Sequence, residues 1–314
     1  MSAIVQVLHL ALLLALAPGL TGLVRWIKAR ALGRAGPAPW QPYRDLRRLM
    51  LKTPIVVETS GPLYTAVPYV QLAAIWLAAG LVPAFSLALP LAQAGDLIVL
   101  TGILALSRFL LMLASLDAGT AFAGIGASRE MMIGALAEPA MLLVVFTVAV
   151  LVQTSSLPAI AAHFIAEPVG LRVSLGMALV ALVMVAIAEN GRIPIDNPAT
   201  HLELTMVHEA MVLDYSGRHL AAIELAAMLK LVVWLALIQA LFVPFGMAGA
   251  DAGLAATAAA LPVFAAKLVA GATALALFEV GIAKMRVFRY PEFLGGAVVL
   301  GMLATIYLYV SRGF

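Results

Sequence analysis

The chain has 314 residues, 64% hydrophobic and 11% charged, with a formal net charge of +3 and a mean hydropathy of +1.06. Those values exclude a water-soluble globule, in which about half the residues are apolar and about a quarter charged. The absence of cysteine excludes a disulfide, and it excludes an iron–sulfur cluster or a thiolate-ligated nickel or zinc centre held by this chain itself.

At about 20 apolar residues per span, the length allows about eight helices. The predicted architecture is an all-α, polytopic integral membrane protein, one transmembrane domain over 1–314 embedded in a lipid bilayer, with no sign of a nucleic-acid-binding module. In chain order, apolar runs broken by charge and Pro/Gly clusters predict spans at 3–24, 66–89, 97–116, 131–152, 172–189, 220–246, 258–281 and 294–311. The first run is followed by Arg25 and Lys28 rather than a small-residue cleavage site, and reads as a span, not a signal peptide.

The loop 25–65 carries Arg25, Lys28, Arg30, Arg34, Arg44, Arg47, Arg48 and Lys52. Loops 117–130, 190–219 and 282–293 on the same side add Arg129, Arg192, Arg218, Lys284, Arg286 and Arg289, whereas the opposite side has Arg172 and Arg312. By the positive-inside rule these four loops are expected in the cytoplasm and both termini outside.

Charges inside the spans are the first functional signal, because an ionisable group in hydrocarbon is costly and by default implies a partner. Arg108 lies about 17 Å into span three at 1.5 Å per residue. Lys230 is at comparable depth in span six, and Lys267 is well inside span seven. Acidic partners are available in Glu138, Glu189, Glu224 and Glu279. Pro139 removes a helix hydrogen bond beside Glu138 and favours a polar, hydrated pocket there. One reading is a line of acids and bases that moves protons. The other is structural pairing or snorkelling, to which the interfacial Glu189, Glu224 and Glu279 are open.

The stretch 189–219 concentrates the polar chemistry: Glu189, Arg192, Asp196, His201, Glu203, His208, Glu209 and Asp214. Asp196 or Asn197 before Pro198 signals a helix start, and a short interfacial helix at about 199–212 is expected. His201 and His208 share a face on it, but two turns is too long for a simple i, i+4 metal pair. Haem would want histidines within spans, where only His9 qualifies. No metal site is therefore expected on this chain, and protonatable cavity lining or a docking surface is the preferred reading.

The same stretch carries a family resemblance. Glu189-x-x-Arg192-x-Pro194-x-Asp196, followed by Tyr215-Ser216-Gly217, is similar to the membrane subunit of respiratory complex I that seats the quinone-reducing module, known as subunit 1. Gly33-Arg34, Gly36-Pro37, Gln41-Pro42 and Asp45 resemble that family's first-loop signature, and Arg129 followed by Glu138 resembles its fourth-span entry. The resemblance covers essentially the whole chain. Where the quinone-reducing members have three alternating glutamates, this chain has Ala199, His201 and Glu203, and Asp214 stands where they have Glu. The stretch Asp196 to Met211, with Ser128-Arg129-Glu130 and Ala137-Glu138-Pro139, instead resembles the branch of membrane-bound group 4 [NiFe]-hydrogenases that includes formate hydrogenlyase and hydrogenase-4 complexes.

That resemblance implies a non-catalytic, proton-coupling anchor in a bacterial or archaeal plasma membrane. It would carry no cofactor of its own, with iron–sulfur clusters and the [NiFe] centre on soluble partners. Those partners would be [NiFe]-hydrogenase large and small subunits and iron–sulfur subunits, with antiporter-like membrane subunits alongside. The docking surface would include Arg34, Gln41, Asp45, Arg47, Arg48, Arg192, Asp196, His201 and His208. The coupling or cavity-lining set would be Arg108, Arg129, Glu138, Glu189, Glu203, Glu209, Asp214, Glu224, Lys230 and Lys267. The alternatives are a quinone-binding subunit of a complex I-type NADH or ferredoxin dehydrogenase, disfavoured by the missing glutamates, and a free-standing ion transporter, disfavoured by the loops and the absence of an internal repeat.

Overall fold

The computed structural model describes residues 2–58, 60–166, 172–196, 206–283 and 289–311. Among them are twelve helices, numbered here in chain order: α1 Ser2–Ala31, α2 Gln41–Met50, α3 Pro62–Leu81, α4 Pro90–Gln93, α5 Leu97–Asp117, α6 Ala121–Val152, α7 Leu157–Ala166, α8 Val173–Glu189, α9 His208–Val212, α10 Gly217–Phe242, α11 Leu254–Gly281 and α12 Tyr290–Ser311. Seven are long and apolar enough to cross a bilayer: α1, α3, α5, α6, α10, α11 and α12. The eighth expected span is α8, which has 17 residues. That is about 26 Å at 1.5 Å per residue, just under a hydrocarbon core of about 30 Å.

Three of the remaining helices lie outside the predicted spans. α2, rich in Arg on an otherwise mixed sequence, follows α1 and packs on α1 and α10. α4 and α7 lie at the face opposite the basic loops and help close it. There Leu87 N–H donates to Ala248 O at 2.9 Å and Ala248 N–H to Phe85 O at 2.8 Å. Asp96 caps α5 by accepting from Ile98 N–H at 2.7 Å and also bonds Ser155 Oγ. α9 falls at the end of the interfacial helix expected at about 199–212, and residues 206 and 207 before it are not helical. His201 and Glu203 lie outside the described residues.

The bundle is built from close pairs: α12 against α6 and α8, α3 against α5 and α10, and α11 against α1. Lipid offers no hydrophobic drive between helices, so small residues and interhelical hydrogen bonds take on that role. Thr147 on α6 and Thr305 on α12 share a hydrogen bond at 2.8 Å.

At the basic face the first loop is pinned to the chain around Tyr215. Tyr64 and Tyr215 stack in parallel at 4.1 Å, and Tyr215 Oη donates to Tyr64 O at 3.0 Å. Ser216 Oγ accepts from Ile55 N–H at 2.7 Å and donates to Ile55 O at 3.2 Å. Gly217 has φ +53°, and a Cβ there would lie 2.7 Å from Lys52 O, so both its conformation and its close approach require glycine. The Tyr-Ser-Gly triplet is thus a clamp between two loops.

Candidate functional site

The site is assembled from charges on four helices. Arg108, on α5, is 4% exposed, and its guanidinium pairs with Glu138 on α6 and with Glu189, the last residue of α8. Lys230 Nζ on α10 donates to the other oxygen of Glu189 at 2.7 Å. Two cations and two carboxylates compensate one another, which lowers the cost of holding them in an apolar bundle. Gly134 makes room: a Cβ there would meet the Arg108 guanidinium at 2.9 Å. Pro139, within α6, leaves a backbone carbonyl one turn earlier without its helical donor beside Glu138.

Two cavities lead from this network. The inner one, of about 70 Å³, is walled by Arg108, Glu130, Glu189, Lys230, Asp196 and His208. The second, of about 320 Å³, lies between α1, α10, the end of α11 and residues 190–193, with Arg25, Lys28, Arg192, Glu209, Glu224 and Glu279 in its walls. Asn190, Gly191, Asp196, His208 and Ala227 belong to both. In the second, Lys28 donates to Glu279 at 2.8 Å, and Arg192 lies 3.6 Å from the other oxygen of that carboxylate.

Asp196 forms the partition. It is 3% exposed, and its Oδ2 accepts the N–H groups of Val207 and His208, both at 3.2 Å, while Oδ1 has no partner among the described residues. Burial pushes the His208 imidazole pKa down, with Glu209 and Asp196 opposing that shift. Burial raises the Glu209 carboxyl, against the attraction of His208.

The structure brings together Arg108, Glu138, Glu189 and Lys230, and adds Glu209, Glu224, Arg192, Asp196 and His208 to the cavity walls. Asp196, Arg192 and His208, expected on the docking surface, are wall residues as well. Three sequence assignments need correction. Lys267 donates to Val243 O at 2.6 Å and to Phe245 O, and lies 4.3 Å over the Phe245 ring. It holds the C-terminal end of α10 and takes no part in the network. Arg129 Nη1 donates to Met206 O at 2.9 Å, tethering the start of the 206–217 segment. Asp214 accepts from Thr120 Oγ1 at 2.6 Å, and Thr120 in turn caps α6 through Ala123 N–H at 3.3 Å. Glu203 and His201 lie outside the described residues.

Glu130 is a site residue that sequence reasoning missed. It is a wall of the inner cavity, two turns before Glu138 on the same helix. The available signal was an acid at helical spacing from Glu138, just ahead of an apolar run. On α2, Gln41 Nε2 donates to Asp45 at 3.0 Å and Asp45 lies 3.6 Å from Arg48. Arg34, Arg47 and Arg48 are exposed at this face, as are Leu51 and Ile55.

An apolar bundle around a compensated buried charge network, opening through ionic cavities to one basic face, defines a polytopic membrane protein with a polar interior path. A family model described as NADH dehydrogenase matches residues 3–310, and the chain belongs to that family. It is 31% identical over 312 residues to Formate hydrogenlyase subunit 4 of Escherichia coli (strain K12), covering 99% of this chain and 100% of that one. It is 36% identical over 237 residues to Hydrogenase-4 component C of the same organism, covering 76% and 74%. Among solved structures, a chain of the membrane-bound sulfane sulfur reductase, an archaeal respiratory membrane complex, shares the fold with a TM-score of 0.81 at 21% identity, covering 96% of this chain and 98% of that one.

Proposed function

We propose that this chain is the membrane-anchoring and proton-coupling subunit of a formate hydrogenlyase or hydrogenase-4-type complex, and is not catalytic on its own. Its similarity to Formate hydrogenlyase subunit 4 over the full length of both chains supports the branch. The observation that carries the coupling role is the Glu138, Arg108, Glu189 and Lys230 network, connected by two cavities to the basic face. That face is cytoplasmic in this reading, with both termini outside a bacterial or archaeal plasma membrane. Soluble [NiFe]-hydrogenase and iron–sulfur subunits dock on it and carry the redox chemistry. Exposed Arg47, Arg48, Leu51 and Ile55 offer them a mixed basic and apolar surface.

The outer cavity admits water from the docked face, and Glu209, Glu224, Asp196 and His208 relay protons inward. The inner cavity has room for about two waters at about 30 Å³ each, between walls that include Glu130 and Glu189. A proton on Glu189 weakens its bonds to Arg108 and Lys230, and that rearrangement passes to Glu138. The Glu138 side chain is 46% exposed at mid-bundle. A half-exposed carboxylate at that depth calls for a polar neighbour, and an antiporter-like membrane subunit packed there would receive the proton.

The ionic walls of the larger cavity support this reading over a quinone pocket, which would present apolar surface to a ring and its tail. Glu138→Gln and Glu189→Gln in the assembled complex test the role. Both variants are expected to assemble and to retain hydrogenase turnover with a soluble artificial electron carrier, while proton-linked activity in vesicles is lost. Wild-type proton translocation in both would overturn it.

A further inference from the structure

A third space differs in kind from the ionic cavities. An apolar cleft of about 290 Å³ runs between α8, α10 and α11, lined along its length by Val183, Ile187, Leu235 and Phe278 and ending against Asn190 and Arg192 at the basic face. Along α8 it extends from Val183 to the end of the helix at Glu189, about 9 Å at 1.5 Å per residue, and along α10 from Leu231 to Ile238, about 10 Å. α11 packs along α1 and leaves the space towards α8 unfilled. Trp234 forms the inner wall and separates the cleft from the small space beside Glu138 and Glu189. Its indole is 2% exposed, and its Nε1–H has no partner among the described residues.

Water is a poor occupant, because hydrocarbon walls supply too few hydrogen-bond partners. A helix is too thick: at about 10 Å across it takes roughly 400 Å³ per turn, more than the whole cleft. A segment of a single alkyl chain suits hydrocarbon walls around a space of this volume. At the mouth, Arg192 stands 3.6 Å from Glu279, beyond hydrogen-bond distance, and Glu279 is already bonded to Lys28 at 2.8 Å. Among the described residues the guanidinium has no closer acceptor, so it has donors for an external anion on the face where Lys and Arg accumulate.

We infer that the cleft between α8, α10 and α11 is a binding site for an anionic phospholipid, with one acyl chain against Trp234 and the phosphate at Arg192. The site is structural: the alkyl chain completes the wall that keeps the charge network out of contact with bulk lipid.

Trp234 itself is the reporter. The full chain carrying Trp26→Phe, Trp40→Phe and Trp76→Phe, so that Trp234 alone fluoresces, is reconstituted in phosphatidylethanolamine vesicles containing phosphatidylglycerol. Brominated acyl chains are placed on one lipid or the other. Brominated phosphatidylglycerol is expected to quench Trp234 with about fivefold preference over brominated phosphatidylethanolamine, the effect of one basic side chain on an anionic lipid. Ala274→Leu, which fills the cleft, should abolish that quenching, and Arg192→Gln should remove the preference while leaving the quenching. A companion chain keeping only Trp76, which is 40% exposed, reports ordinary lipid contact and verifies insertion of each variant. Trp234 unquenched while Trp76 is quenched, quenching unchanged by Ala274→Leu, or a preference that survives Arg192→Gln would each overturn the assignment.

Discussion

Arg108 and Glu189 stand 81 residues apart in the chain and form one ion pair that joins α5 to the end of α8. Because Arg108 also holds Glu138, its removal leaves Glu138 unpaired and Glu189 with Lys230 alone. Arg108→Met is expected to lower unfolding free energy by up to about 3 kcal/mol, less than the full cost of stranding a buried charge because the Glu138 side chain is 46% exposed. Lys230→Met should cost less, since Arg108 still holds Glu189. Denaturation in detergent checks both, and the cycle with Glu189→Gln should show coupling of about 0.5–3 kcal/mol. Additive losses would count against a shared network.

Gly134→Ala places a methyl group 2.9 Å from the Arg108 guanidinium. The displaced guanidinium is expected to cost about 1–3 kcal/mol, in the range of overpacked cores. Gly102 on α5 has open space around it, so Gly102→Ala should leave stability unchanged or raise it by up to about 1 kcal/mol. Melting temperatures of the two variants side by side give the comparison.

The pH response should have two opposing limbs at the partition between the cavities. His208 has its pKa lowered below 6.5 by burial; the unfolded chain binds the proton first, so stability falls as pH drops below 6.5 towards the folded value. Glu209 has its pKa raised above 4.5, also chiefly by burial. It adds stability below 4.5 that is lost as pH rises through its folded value. His208→Gln should flatten the acid-side loss, and Glu209→Gln should flatten the loss on rising pH and stabilise the protein at neutral pH. Melting temperature against pH for both variants measures each limb.

Lys267→Met separates anchoring of α10 from proton coupling. Losing the bonds to Val243 O and Phe245 O and the contact with the Phe245 ring is expected to cost about 1–2 kcal/mol. Proton-linked activity in the assembled complex should stay at the wild-type level. Activity lost without a change in melting temperature would return Lys267 to the coupling path.

Arg47→Glu with Arg48→Glu reverses two exposed charges on α2. Release of the soluble subunits from the membrane during purification is the expected outcome. Co-purification unchanged from wild type would remove α2 from the docking surface.

Hydropathy locates the spanning helices because a span must be long and apolar, and it places α8 within a residue of its start, but it begins α6 at 131 rather than Ala121, so that most of the expected loop 117–130 is helix, and it runs α3 to 89 rather than Leu81. It does not show α4 and α7, which are too short to span: α4 has four residues, and α7, although apolar, has ten and closes one end of the bundle. Arg108, Glu138 and Lys230 are legible because charge deep in an apolar run demands a partner. Lys267 meets the same criterion and answers it with backbone carbonyls at the end of α10, an acceptor that no side-chain pattern reveals. Asp214 and Arg129 escape correct assignment for a related reason: their partners are a capping threonine and a peptide oxygen brought near by tertiary packing. Glu130 is passed over because its cavity exists only once α6 meets residues 190–196 and 207–208.

The four charges of the central network also have an order in time. The ribosome delivers Arg108 first, then Glu138, then Glu189, then Lys230. Each arrival either neutralises the set or adds a single charge to a neutral one, so the growing bundle never carries more than one unmatched charge of the four. The sequence order of the helices is therefore a schedule for insertion: exchanging Glu138 with Lys230 would keep the same four charges in the chain, yet leave the nascent protein holding two cations in the membrane before any acid of the set had been made.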